Sequence, residues 1–158
     1  MSAYDIQKLV EYRNISKWVK ISTPSIYKKV IQLEEKGYIT STQVKDGKMP
    51  EKAVYTLTDS GKSQFEKLML EISLKPIYIF LDFNAVIVSL DSLSRENQKV
   101  CLANIEDNIK TLRSYLEENE SLKKNAPEIP ETGMAVLEQQ LILIQAIETW
   151  IALMKESF

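Results

Sequence analysis

Hydrophobic positions recur at helical spacing over most of this chain and switch to near-alternation in one short region. In residues 22–37, STPSIYKKVIQLEEKG, Ile26, Val30 and Leu33 fall at i, i+4 and i+7 and share one apolar face. Ser25, Lys28 and Gln32 take the opposite face, flanked by Tyr27 and Lys29. Thr23 is expected to cap this helix and Pro24 to hold its first position, where no N–H is needed. Gly37 is placed to close it in the left-handed conformation. The period then changes. Residues 38–44 and 53–58 are β-branched and roughly alternating, and the loop between them, residues 45–52, carries Asp46-Gly47. That pattern predicts a β-hairpin.

Helical spacing returns on both sides. Residues 2–12 predict a helix capped by Ser2, with Asp5 in its first turn and Ile6, Leu9 and Val10 on its apolar face. Arg13, Lys17 and Lys20 follow in the connection, placed to meet phosphates; Trp18 beside them fits a core plug better than a base-stacking residue. Thr58 is expected to cap a helix running to about residue 72, with Phe65, Leu68, Met69 and Ile72 as its apolar face. Residues 77–90, IYIFLDFNAVIVSL, have strand-like composition, but a lone strand would leave its backbone unpaired, so a buried helix is expected.

Residues 94–124 form the clearest long helix, capped by Ser94, with Leu102, Ile105, Ile109, Leu112 and Leu116 spaced as a coiled-coil seam. NAPEIP, residues 125–130, breaks it. A last helix over residues 131–157 carries two apolar stripes. One is Leu137, Leu141, Ile144, Ile151 and Met154; the other is Leu143, Ala146, Trp150 and Leu153. A helix apolar on two sides needs more than one neighbour. One neighbour is the long helix, folded back antiparallel, and the other is expected to be the same hairpin of a second subunit. A monomeric three-helix bundle is the alternative. The expected dimerisation residues are the seam Leu102, Ile105, Ile109, Leu112 and Leu116, with Leu137, Leu141, Ile144, Trp150, Ile151 and Met154.

Composition narrows the function classes. At 158 residues, 44% hydrophobic and 27% charged, the chain is ordinary for a soluble globular protein with one domain or a domain and an appendage. Its net charge of −2 divides unevenly: residues 1–68 carry +4 and residues 69–158 carry −6. Only the first part suits a polyanion. The absence of histidine removes the commonest general base and metal ligand, and the single cysteine, Cys101, fits a small buried residue. Glu117, Glu118 and Glu120 fit the solvated end of a helix better than a metal site. No nucleophile–base pair or phosphate-binding glycine loop is present, so no catalytic residue, metal or cofactor is expected. No signal peptide is apparent, and the apolar run at 77–90 is interrupted by Asp82 and Asn84 and too short to span a bilayer. A cytoplasmic protein with no membrane partner is expected.

A capped helix with a basic outer face, followed by a lysine-tipped hairpin, fits a winged helix-turn-helix. The wording of the sequence is more specific. Thr23, Ile26-Tyr27, Leu33-Glu34, Gly37-Tyr38-Ile39, Tyr55-Thr56-Leu57-Thr58 and Gly61, with Ser2-Ala3-Tyr4-Asp5-Ile6 upstream, closely resemble the linked motifs of the PadR family of bacterial and archaeal transcriptional regulators. The resemblance covers residues 2–68. It implies a mostly α fold with a small β-hairpin. A winged helix-turn-helix DNA-binding domain would occupy residues 1–72, and an antiparallel helical dimerisation domain residues 73–158. In that family another helix of about a dozen residues normally precedes the element matched by residues 2–6, so the first family helix is expected to be lacking here.

The function expected is a homodimeric transcriptional regulator, a repressor by family resemblance, on a pseudo-palindromic double-stranded DNA operator. Ser25, Lys28 and Gln32 are expected at the bases or nearby phosphates. Ser22 opens the segment presented to the groove, Thr23, Tyr27, Lys29, Lys17 and Lys20 would serve the backbone, and Lys45, Lys48 and Lys52 would act from the wing. The resemblance also implies release by a small aromatic effector. Tyr78, Phe80, Phe83 and Trp150 could line its pocket, though core packing suits each of them better. The alternative from another class is a winged-helix protein-interaction module that binds no DNA.

Overall fold

A computed structural model describes residues 1–157 apart from Trp18, Lys20, Thr23, residues 46–50 and the side chain of Lys17. The chain divides into two compact units, Met1–Ile77 and Tyr78–Phe158.

The first unit starts with α1 (Ala3–Tyr12). Ser2 Oγ accepts from the Asp5 N–H at 3.2 Å, and the Asp5 carboxylate accepts from the Ser2 N–H at 2.8 Å. This reciprocal cap satisfies two donors that the first turn would otherwise leave bare. A short 3₁₀ turn, Ile15–Lys17, leads toward α2 (Ser25–Glu35). Pro24 takes the cap position itself and offers no side-chain hydrogen bond. The start is tied instead by Ser25, whose N–H and hydroxyl both donate to the Ser22 carbonyl, at 2.9 and 2.6 Å. The expected cap, Thr23, lies outside the described residues. Val10, Ile26 and Val30 form the core of the unit, surrounded by Ala3, Ile6, Ile15, Ile21, Ile39 and Tyr55. Leu33, expected on the same face, remains 40% exposed because this small core covers only the first two turns of α2.

Gly37 has φ +70°, the left-handed conformation its position predicts. Its N–H donates to the Glu34 carbonyl at 2.8 Å and the Tyr38 N–H to the Leu33 carbonyl at 2.9 Å, a Schellman closure. Because Tyr38 is used in that closure, β1 begins one residue later, at Ile39–Val44. It pairs antiparallel with β2 (Lys52–Leu57), Ile39 opposite Leu57 and Val44 opposite Lys52. The predicted Asp46-Gly47 turn lies outside the described residues. On the other side of β2, Tyr55 exchanges two backbone hydrogen bonds with Met1, at 2.9 and 3.1 Å.

Thr58 leaves the strand to cap α3 (Asp59–Ser73), accepting from the Gly61 N–H at 3.0 Å. Its hydroxyl lies 2.8 Å from the Gly37 carbonyl and 3.1 Å from that of Tyr38, which ties the end of the hairpin to the end of α2. The predicted apolar face of α3 forms but stays open: Phe65, Leu68, Met69 and Ile72 are all exposed.

The buried helix expected over residues 77–90 is not observed. Ile77, Tyr78, Ile79 and Phe80 lie outside any helix or strand and are exposed, followed by a single turn, α4 (Asn84–Ile87), and a 3₁₀ turn, Leu90–Ser92. Only Leu90 is buried. A short run of β-branched and aromatic residues directly after Pro76 has little intrinsic helix stability, and its first four residues are exposed.

The rest of the second unit is a helical hairpin. Ser94 caps α5 (Arg95–Lys123), and α6 spans Glu131–Ser157. Two cross-links fix their antiparallel register: Lys155 pairs with Glu106, and Arg113 with Glu148 at 2.6 Å. A step of seven residues forward on α5 is a step of seven back on α6. Leu102, Ile105, Ile109 and Leu116 pack with Leu90, Leu141, Ile144 and Ile151. Leu137, Trp150, Met154 and Cys101 lie at the margin of this core. Leu112 departs from the predicted seam and is 47% exposed. The seam extends instead to two buried amides, Gln98 and Asn119. Gln98 Nε2 donates to the carbonyls of Leu90 and Leu93, at 2.9 and 3.2 Å, and holds the 3₁₀ turn against the start of α5.

By length and composition alone, α6 is the one described helix long and apolar enough to cross a membrane. Its stripe of Leu141, Ile144 and Ile151 is packed on α5.

The Glu106 carboxyl is held down to about 2 by its hydrogen bonds to Lys155 and Lys110. A carboxyl whose folded value is depressed adds stability above its unfolded value, ordinarily 4.5, and loses it as pH falls toward the folded one. Melting followed by circular dichroism should therefore show the wild type losing stability between about pH 5 and pH 2. The Glu106→Gln variant should give a flatter curve over the same window. Parallel curves would contradict the assignment.

Candidate nucleic-acid interface

The outward face of α2 is set by what its inward face must bury. With Ile26 and Val30 in the core, Lys28 and Ile31 point away from it, with Ser25 and Gln32 to one side and Tyr27 to the other. Lys28 and Lys29 are exposed and make no ion pair among the described residues. Tyr27 is 46% exposed; Ser25 and Gln32 are half-buried. The Ser25 hydroxyl is already donated to Ser22, so it is oriented by its own backbone and keeps its lone pairs for a further donor.

The hairpin is fastened to this helix by Glu34, whose carboxylate accepts from the Ser41 N–H at 3.0 Å. Lys45 and Lys52 are exposed at the far end of the hairpin, beside the loop that contains Lys48. Asp5 lies below its ordinary value, chiefly through the hydrogen bonds from Ser2, with smaller contributions from the charges of Lys52 and the N-terminus. Lys45 and Lys52 make no ion pair among the described residues.

Of the residues predicted for this interface, the structure places Ser22, Ser25, Tyr27, Lys28, Lys29 and Gln32 on or beside one helix, and Lys45 and Lys52 at the end of the hairpin. Lys17 ends the 3₁₀ turn after α1, and its side chain lies outside the described residues, as do Lys20, Thr23 and Lys48. Two residues at this candidate interface were not predicted. Glu34 orients the hairpin, and its signal was its place in the Leu33-Glu34 pair. Ile31 is an isoleucine on a polar face, visible as a break in the amphipathic pattern.

In the second unit, Phe83 and Trp150 stack with ring centres 5.9 Å apart beside the core, whereas Tyr78 and Phe80 stack on each other in the open. Among the described residues no group of acidic or sulfur side chains is arranged to hold a metal. The seam residues Leu102, Ile105, Ile109 and Leu116, with Leu141, Ile144 and Ile151, are buried by the hairpin of a single chain, while Ile142, Leu143 and Leu153 stay exposed on α6.

Helix, hairpin and flanking helix in this order form a winged helix-turn-helix, and the second unit is a helical hairpin. Residues 1–67 match the Transcriptional regulator PadR-like family. The family is one of DNA-binding regulators, not enzymes. The whole chain is similar to Bacillus subtilis PadR solved in complex with operator DNA, at 25% identity and a TM-score of 0.82, covering 100% of this chain and 90% of that one. It is similar also to Bacillus subtilis PadR in complex with p-coumaric acid, at 24% identity and a TM-score of 0.78, covering 98% and 88%. The Vibrio cholerae virulence activator AphA shares the fold at 21% identity and a TM-score of 0.67, covering 96% and 85%. A comparison with curated proteins finds no match.

Proposed function

We propose that the protein is a homodimeric repressor that binds a pseudo-palindromic operator through its winged units, works in the cytoplasm and is released by a small aromatic effector. The observation that carries this reading is the outward face of α2, where Lys28 and Lys29 stand exposed and without described partners in a PadR-like module. A helix of this kind fits the major groove, about 12 Å wide. Ser25, Lys28 and Gln32 would meet bases or nearby phosphates. Ser22 would open the segment presented to the groove, Thr23, Tyr27, Lys29, Lys17 and Lys20 would hold the backbone, and Lys45, Lys48 and Lys52 would act from the wing. The operator complex of Bacillus subtilis PadR supports the DNA role, and the p-coumaric acid complex supports an aromatic effector.

In this reading residues 1–72 bind DNA and residues 73–158 dimerise. The seam builds the hairpin, and the exposed Leu143 and Leu153 of α6 meet the same stripe of a second chain. The Phe83–Trp150 stack is the candidate effector wall. Two copies would place the paired α2 helices about one helical turn apart, near 34–36 Å, or a multiple of it.

Each phosphate contact releases counterions, so alanine at one contacting lysine lowers the salt slope of binding by about one. Lys28→Ala and Lys29→Ala should show that loss on DNA from upstream of the gene. Slopes unchanged for Lys28, Lys29, Lys45 and Lys52 alike would contradict the interface.

A further inference from the structure

Ile31 stands on the outward face of α2 and is 54% exposed, while its neighbour Gln32 is half-buried. It lies one turn after Tyr27 and three residues after Lys28, so the three side chains form one continuous strip. An isolated surface isoleucine needs no explanation. This one lies on the face assigned to the major groove, between Tyr27 and the cation Lys28, where a polar residue would serve water better. In that groove only thymine presents a methyl group, and apolar side chains read it.

We propose that Ile31 is a specificity-determining residue that packs on a thymine 5-methyl group, so that each operator half-site carries an A·T pair at the base step it covers. Lys28 anchors the same strip to the phosphates or to guanine, and Tyr27 closes its other side. The assignment rests on the DNA-binding reading above. It differs from the polar contacts given to Ser25, Lys28 and Gln32 in one respect: the hydrogen-bonding pattern of the base is irrelevant to it, and the methyl is everything.

The test starts with selection of duplexes from a randomised pool by the full-length protein. The selected duplex is then remade with deoxyuridine in place of one thymine per half-site, position by position, which removes the methyl and leaves base pairing and polar edges intact. Burial of one methyl corresponds to about fourfold in affinity per half-site. At one symmetric pair of positions the wild type should weaken by about that factor per half-site, while Ile31→Ala binds both duplexes equally. Alanine is a better helix former than isoleucine, so the variant folds. If no position shows a methyl effect, or if Ile31→Ala keeps the wild-type effect, the role of Ile31 is overturned and DNA binding stands. If no duplex is enriched at all, the DNA-binding reading falls and the methyl contact with it.

Discussion

Gly61→Ala is expected to remove about 3 kcal/mol from the winged unit, the upper part of the usual range for forced overpacking, and to abolish DNA binding with it. A methyl group on Gly61 would overlap the Tyr38 carbonyl oxygen and lie 2.9 Å from Leu57 Cδ1. A flexible side chain could turn away, but the Tyr38 carbonyl is backbone. It accepts from the Thr58 N–H at 3.1 Å and lies the same distance from the Thr58 hydroxyl. Relieving the overlap therefore separates α3 from the turn between α2 and β1 and pulls on the wing. Ser60→Ala, at the exposed neighbouring position, should stay within about 0.5 kcal/mol of wild type. Urea titrations read by circular dichroism distinguish the two. Equal midpoints would show that α3 can move without cost and that this junction does not set the wing.

The second large effect belongs to the helical hairpin. Ile151 is fully buried between α5 and α6, and Ile151→Ala removes three carbon atoms and leaves a cavity. Such truncations cost about 2–5 kcal/mol, according to how far the surroundings collapse. The upper half is expected here, because Leu102 and Leu90 in the same core are themselves almost fully buried and have little room to relax. Leu153→Ala, two residues along but 59% exposed, should leave the stability of an isolated chain almost unchanged. In the proposed dimer it would act on association. Sedimentation equilibrium should then show Leu153→Ala weakening self-association while Ile151→Ala lowers the melting temperature. A stable Ile151→Ala variant would contradict the packing described for the hairpin.

Much of the fold was legible because it is specified locally. Ser2, Thr58 and Ser94 each cap the helix their position predicts, and Gly37 adopts the left-handed conformation its place demands. The hairpin followed from the change of period after Gly37, and the antiparallel α5–α6 pair from the break at residues 125–130. What failed was inference about cover. Spacing shows that residues share a face but not whether anything packs on it. Leu33 and Leu112 keep their spacing and remain exposed, and the face of α3 forms with no partner over it. The same limit explains residues 77–90, where apolar composition suggests burial throughout, yet only the end of the run packs on the hairpin core and Ile77, Tyr78, Ile79 and Phe80 stay exposed. Conversely, Gln98 and Asn119 are buried amides in the seam, invisible to a search for apolar positions.

The geometry of the candidate interface was legible in type more than in detail. Lysines at Lys28 and Lys29 announce themselves on a polar face, whereas Glu34 acts by accepting a hydrogen bond from the strand beside it. Ile31 has meaning only once Ile26 and Val30 fix which side of α2 faces outward.

The central claim is that α2 and the hairpin bind a specific DNA duplex. Fluorescence anisotropy of the purified full-length chain on labelled DNA from upstream of the gene, beside a scrambled duplex at two salt concentrations, tests it most directly. Tighter binding to the native duplex, falling steeply with salt, is the predicted result. Equal and weak binding to both duplexes, with selection from the randomised pool also enriching nothing, would contradict it and leave the winged unit as a protein-interaction module.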